Sequence, residues 1–249
     1  SISEATELNV YFEGGAVTGG SIIGYDKTLD LAVLLVAHSS YYMQDFSKVR
    51  VLEFADEDSV VKGSAVLAIG APNGIVGSID YGIITSDNNP YPMADICLEL
   101  STINIHYYEK AAGAVVNMEG KICGISTNVY SDREIPAFIS TDNLRVLLEQ
   151  LANEGELLYT GAVCENVTQD VLSAAGCENG IYVKKVEEGS PADKAGLRNG
   201  DIIISCNDKE IIEVDDYTTM IYETGFDEEI KLKVVRNGDN REIKLTIGK

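Results

Sequence analysis

The first 140 residues are cut into short apolar runs, and this limits the folds open to the chain. ELNVYFE, GGSIIGYD, LAVLLVA, SAVLAIGAP, GSIDYGIITS, DICLELSTINI and IPAFIST follow one another, bounded by Gly, Asp, Asn, Lys or Pro. Runs of this length and β-rich composition predict strands. Many short strands at regular spacing predict an antiparallel barrel or sandwich. The stretch EKAAGAVVNMEGKICGIST, residues 109–127, reads as a hairpin with Glu119-Gly120 at its turn. Val115, Val116, Ile122 and Ile125 supply its apolar residues.

The pattern changes near residue 142. Asp142 is placed to cap a helix over NLRVLLEQLANE, in which Leu144, Leu147, Leu148 and Leu151 fall on one face. Gly155 is placed to stop it. This predicts one domain over residues 1–155 and a second over 156–249. In the second, GIYVKK and DIIISC read as strands around a short helix opened by Ser190-Pro191 and ended by Gly196. A second short helix runs from Asp215 to Gly225, and Asn237-Gly238 turns a closing hairpin.

Charge and cysteine usage exclude several functions. The chain has 249 residues, 19 Lys and Arg against 40 Asp and Glu, and a net charge of −21. Such a chain repels phosphate backbones, so no nucleic acid is expected as a partner. The five cysteines are far apart and form no CxxC pair, so neither a disulfide framework nor a metal site is expected. No metal and no organic cofactor is implied. The longest apolar run, LAVLLVA, falls far short of the roughly 18 residues of a membrane span.

GSPADKAGLRNGDIIISCNDKEI closely resembles the core of PDZ domains of the bacterial protease-associated kind. Gly-Ser-Pro-Ala, Ala-Gly-Leu and Gly-Asp-Ile-Ile occur in that order. The resemblance covers residues 157–248. It implies a groove that takes C-terminal or extended peptides by adding a strand to a sheet edge. Tyr159, Thr160, Gly161 and Ala162 would form the loop that holds a terminal carboxylate. Ala162, Val163 and Cys164 would pair with the peptide. Tyr217, Met220 and Ile221, spaced i, i+3, i+4 on the second helix, would line the side-chain pocket or belong to the core.

LDLAVLLVA, GSAVLAIGAPNG, GSIDYGIITS and GAVVNMEGKICGIST occur in this order ahead of it. Together they resemble the trypsin-like domain of HtrA (DegP-type) serine proteases, in which one or more PDZ domains follow. The fold implied is mainly β: a trypsin-like (chymotrypsin fold) double β-barrel without its first strands, followed by a PDZ domain that is β-rich with two short helices. That family uses a Ser-His-Asp triad. Its aspartate maps to Asp30, which is also readable as a turn residue. Its serine maps to Ala111, which carries no nucleophile. Glu109 and Ala112 stand where the family's oxyanion loop has glycines, and Lys110 stands where it has asparagine. A carboxylate beside an oxyanion hole is electrostatically wrong. The family's histidine would precede Ser1, and neither His38 nor His106 fits its position.

The residues therefore read as an HtrA-like protein that is proteolytically inactive. Its PDZ domain would bind peptides of unfolded or regulatory proteins in protein quality control or regulation. The resemblance leaves open a second reading, an active endopeptidase in truncated, Ser→Ala form. A third, an enzyme built on Cys123, has no histidine nearby in sequence to support it. By resemblance the protein works outside the cytoplasm, with any membrane attachment through an anchor upstream. Trimers, common in the family, are doubtful for this chain.

Overall fold

Asn117 shows how a local side chain sets a turn. Its side-chain oxygen accepts from the backbone N–H groups of Glu119 and Lys121, both at 3.0 Å, and its carbonyl accepts from Gly120 N–H. The two strands that it joins belong to the first of two compact units in the computed structural model, which describes residues 7–12, 17–36, 49–109 and 111–248. The first unit holds residues 1–89 and 99–157, the second 90–98 and 158–249.

In the first unit, β1 (Leu8–Tyr11), β2 (Val17–Asp26) and β3 (Leu31–Val36) form an antiparallel three-stranded sheet. A closed six-stranded barrel follows. Its strands are β4 (Ala65–Ala71), β5 (Ser78–Met93), β6 (Ile96–Ile103), β7 (Ala112–Asn117), β8 (Ile122–Thr127) and β9 (Ala137–Ser140), in the order β4-β5-β6-β9-β8-β7. Val66, Ala68, Ile84, Ile103, Val115, Cys123 and Phe138 fill it.

The helix expected after residue 142 is α1 (Thr141–Glu154). Ser140, not Asp142, is its N-cap residue, and Asp142 lies in the first turn, where its charge complements the helix dipole. Gly155 ends it with φ +80°. Leu144, Leu147 and Leu151 are fully buried, each contributing roughly 1.5–3 kcal/mol. Leu148 is half-buried. The helix meets β2 so closely that a Cβ on Gly24 would lie 1.9 Å from the Leu151 carbonyl oxygen, so only glycine fits there.

β5 runs beyond the GSIDYGIITS stretch that suggests it, through Pro90 and Pro92. Proline offers no N–H to a ladder. The residues at this far end and at the start of β6, Pro90–Leu98, belong to the second unit.

The rest of the second unit is β10 (Ala162–Asn166), α2 (Gln169–Ala175), β11 (Ile181–Val186), α3 (Pro191–Ala195), β12 (Ile202–Cys206), β13 (Lys209–Glu210), α4 (Val214–Thr224), β14 (Glu229–Arg236) and β15 (Asp239–Thr246). The sheet order is β10-β11-β12-β14-β15, with β13 beside β12. α3 has the expected ends: Ser190 accepts from Asp193 N–H and Gly196 is left-handed. Asn237 and Gly238 both have positive φ, as a tight hairpin turn requires. α2 is a third helix beyond the two expected; Leu172 is its only buried residue, so it carries no apolar stripe in the sequence. Asp201, fully buried, takes both its oxygens to Arg236, at 2.6 and 2.7 Å.

Candidate functional site

The sequence points to two places that could carry chemistry. Around Ala111, the end of the β6–β7 connection and the start of β7 line a small, mainly apolar cavity with Ala68, Ile103, Tyr108, Ala112, Gly113 and Ser126. Ala111 N–H donates to the Tyr108 carbonyl, at 2.9 Å. The methyl group of Ala111 offers nothing to attack a carbonyl. The Ser126 hydroxyl donates to the Gly113 carbonyl at 3.0 Å. His106 lines the same cavity and is exposed. Asp30 and Glu109 are not among the lining residues. Asp30 is exposed in the turn between β2 and β3 with φ +51°, and Glu109 is exposed. Lys110 and His38 lie outside the described residues.

Cys123, also in the barrel, offers no nucleophile of its own. Cys123 is 1% exposed, and burial raises its pKa to about 11. A thiol held protonated in an apolar barrel is inert as a nucleophile. Among the described residues no group of three or more His, Cys, Asp or Glu could hold a metal ion.

The second place is richer. Tyr159, Thr160 and Gly161 lead into β10, the edge strand of the second unit's sheet. Tyr159 exchanges backbone hydrogen bonds with Gly248, and its hydroxyl donates to Glu187 at 2.6 Å. Thr160 and Gly161 carbonyls accept from Ala192 and Glu187 N–H. Gly161 has φ +84°, and a Cβ there would meet the Ser190 side chain at 2.3 Å, so glycine is required.

The loop's N–H groups converge on a carboxylate. Thr160 N–H and Gly161 N–H both donate to one oxygen of Asp95, at 2.7 and 2.9 Å. The Thr160 hydroxyl donates to the other oxygen, and Tyr217 OH lies 2.9 Å from that hydroxyl. The backbone around Asp95 is held as well. Asp95 N–H donates to the Ala162 carbonyl at 2.8 Å, Ala94 bridges Val163 in antiparallel sense, and Thr218 of α4 donates to the Asp95 carbonyl at 2.7 Å. Asp95 is 4% exposed. Burial raises its pKa to about 6, against the lowering effect of these hydrogen bonds.

The family description "Trypsin-like peptidase domain" matches residues 2–125, and "PDZ domain" matches residues 155–247. Curated relatives include a probable periplasmic serine endoprotease DegP-like of Rickettsia conorii, 27% identical over 99% of this chain and 49% of its own length. Another is the serine protease Do-like HtrA of Bacillus subtilis, 27% identical over 99% of this chain and 58% of its own. The chain is of the HtrA/DegP type. It spans about half the length of these relatives. Solved structures with the same fold include an HtrA-type protease AlgW with decapeptide, with TM-score 0.65 and 22% identity over 99% of this chain and 76% of that one. A serine endoprotease from Yersinia pestis has TM-score 0.61 and 26% identity over 99% and 81%.

In this HtrA-type chain, the expected groove residues divide by role. Tyr159–Ala162 form the loop around the carboxylate. Val163 is half-buried on the bridging strand, and Cys164 is buried. Tyr217, Met220 and Ile221 all belong to the unit's core, although the Tyr217 hydroxyl reaches Thr160. Thr218, next to Tyr217 on α4, makes the contact expected of a groove residue. Thr218 and Asp95 escape sequence reasoning. Thr218 sits beside the apolar face that the spacing picks out. Asp95 is 65 residues from Thr160, in a run that reads as a strand start. The flanking Pro90 and Pro92 are the one signal that this stretch leaves a regular ladder.

Proposed function

We propose that this is a peptide-binding HtrA-type protein with no proteolytic activity. Its PDZ unit recognises peptides by a carboxylate and an added strand, in protein quality control or regulation. The observation that carries the reading is the pair of converging N–H groups on Thr160 and Gly161, beside an edge strand already bridged in antiparallel sense by another segment. Backbone N–H groups aimed at one point hold an anion, and the outer edge of β10, where Ala94 bridges Val163, supplies main-chain hydrogen bonds whatever the peptide's sequence.

Inactivity rests on Ala111. Acyl transfer needs a nucleophile and a base within hydrogen-bond reach of it. Ala111 stands at the serine position that the resemblance assigns, and the thiol of Cys123 is buried and protonated. The unit around Ala111 then serves as scaffold. The Rickettsia relative is described as a probable periplasmic endoprotease. An extracytoplasmic location follows for this chain by analogy. No helix among the described residues is long and apolar enough to cross a membrane.

The test is panning of the intact chain against random peptides displayed with free C-termini, followed by fluorescence anisotropy. Enriched peptides are expected to bind at least tenfold more tightly as carboxylates than as carboxamides, and Gly161→Ala should abolish that preference. Equal binding of the two forms would overturn a carboxylate-reading groove.

A further inference from the structure

We infer that the peptide groove of the second unit is occupied by the chain's own residues. The tip between β5 and β6 lies there as a built-in ligand, and peptides bind only by displacing it. The inference rests on the peptide-binding reading and adds what holds the groove first.

Four features place the tip as a ligand. Its backbone adds to the exposed edge of β10 through the Ala94–Val163 bridge and the Asp95 N–H to Ala162 carbonyl hydrogen bond. Its direction is antiparallel to β10. Its carboxylate occupies the Thr160 and Gly161 N–H groups. Thr218 closes over it from α4. Asp95 thus does with its side chain what the last residue of a peptide does with its terminus. The substitution is chemically close: a side-chain carboxylate is one methylene further from the backbone than a terminal one. Asp95 adopts φ +65°, which turns the chain away after the carboxylate is delivered. A terminal residue has no such need, because nothing follows it. Aspartate is among the few residues that visit this conformation at low cost.

The occupant has the character of a contact that can be exchanged. The main-chain part of the contact is one bridge rather than a ladder. Its anchoring charge is buried, and it acts on the titratable groups Tyr159, Cys164 and Tyr217. Burial raises the pKa of all three, so they are neutral near pH 7 and none supplies a positive charge. Glu187 accepts from the Tyr159 hydroxyl. A peptide terminus brings the same anion with further strand pairing along Val163, Cys164 and Glu165. It can therefore compete with a segment whose concentration is fixed by its tether.

The probe is a fluorescein-labelled peptide of the tip's own sequence, NNPYPMAD, with a free terminal carboxylate. Three forms of the full chain are compared: the parent, Asp95→Ala, and the pair Ala94→Cys with Val163→Cys. Bridged antiparallel neighbours lie within disulfide reach, so oxidation of the pair locks the tip in place and reduction frees it. The expected result is at least tenfold tighter binding to Asp95→Ala than to the parent. Oxidised double-cysteine protein should bind at least tenfold more weakly than the same protein reduced. Equal affinity in the locked and reduced forms would overturn the inference while leaving the peptide-binding reading intact, since the groove would then be open. If a random pool of free-carboxylate peptides is retained by none of the three forms, the peptide-binding reading falls, and the inference with it. Should Asp95→Ala fold poorly, the oxidised and reduced pair decides alone.

Discussion

Asp95 is costly where it stands. A carboxylate in a dry site loses hydration that three hydrogen-bond donors only partly replace, and its pKa rises from 3.8 to about 6. The sign follows from the direction of that rise. The buried form holds its proton more tightly than the exposed one, so the stabilising effect of protonation is complete below about pH 4 and is lost as pH rises through about 6. Between pH 5 and pH 7.5 the second unit should lose on the order of 1.4 kcal/mol from this residue, a tenfold change in its equilibrium. Urea titrations of the parent and of Asp95→Asn, at both pH values, isolate the effect: the parent should show the loss and the variant should not. Identical pH slopes would mean that Asp95 titrates as an ordinary surface carboxylate. Gly161 matters at the same scale for the opposite reason. It lacks a side chain where the loop passes Ser190, which lets two adjacent N–H groups point to one place.

At the scale of elements, the second unit is pinned by a buried ion pair that the apolar pattern conceals. Asp201 immediately precedes β12 and is fully buried; Arg236 ends β14 and donates to both of its oxygens and to the Gly196 carbonyl. Asp201 also accepts from Arg198 N–H, so α3, β12 and β14 meet at one carboxylate. Removing one partner leaves the other charge buried and unpaired. Arg236→Met should therefore cost about 3–5 kcal/mol in the unfolding of the second unit. Replacing both with apolar residues, Asp201→Leu with Arg236→Met, should cost less than the single change. A single change that leaves the denaturant midpoint where it was would show that water reaches the pair. Elements of this kind also mark how far the sequence could be read. Turn and cap chemistry is local, so Asn237-Gly238, Ser190 with Gly196, and Gly155 each announce their structure. α2 does not, because one buried leucine makes no stripe. Asp201 signals a turn before an apolar strand, but its partner is 35 residues away. The candidate groove was legible in its loop and strand, Tyr159–Cys164. Its occupant was not, because no local pattern ties Asp95 to Thr160.

On the scale of the whole molecule, the proposed inactivity can be tested against what the HtrA/DegP-type barrel keeps. The barrel retains its packing through Val66, Ile84, Val115 and Phe138, which need only apolar volume. Catalysis needs much more: a hydroxyl, a base aligned with it, an orienting acid, and donors placed for the oxyanion. Restoring one member should therefore restore nothing. In Ala111→Ser the new hydroxyl would share its cavity with His106, but that histidine is exposed, and Asp30 does not line the cavity to orient it toward residue 111. A neutral serine hydroxyl without an aligned base is a poor nucleophile. The variant is expected to digest fluorescent casein no faster than the parent and to remain unlabelled by a fluorophosphonate probe. Stoichiometric labelling would instead mean that a base stands in line with residue 111, and that one substitution separates this barrel from an active one. Because the Ala111 cavity and the Asp95 groove lie in different units, the variant should leave binding of the tip-sequence peptide unchanged. Loss of that binding would show that the two scaffolds do not act separately.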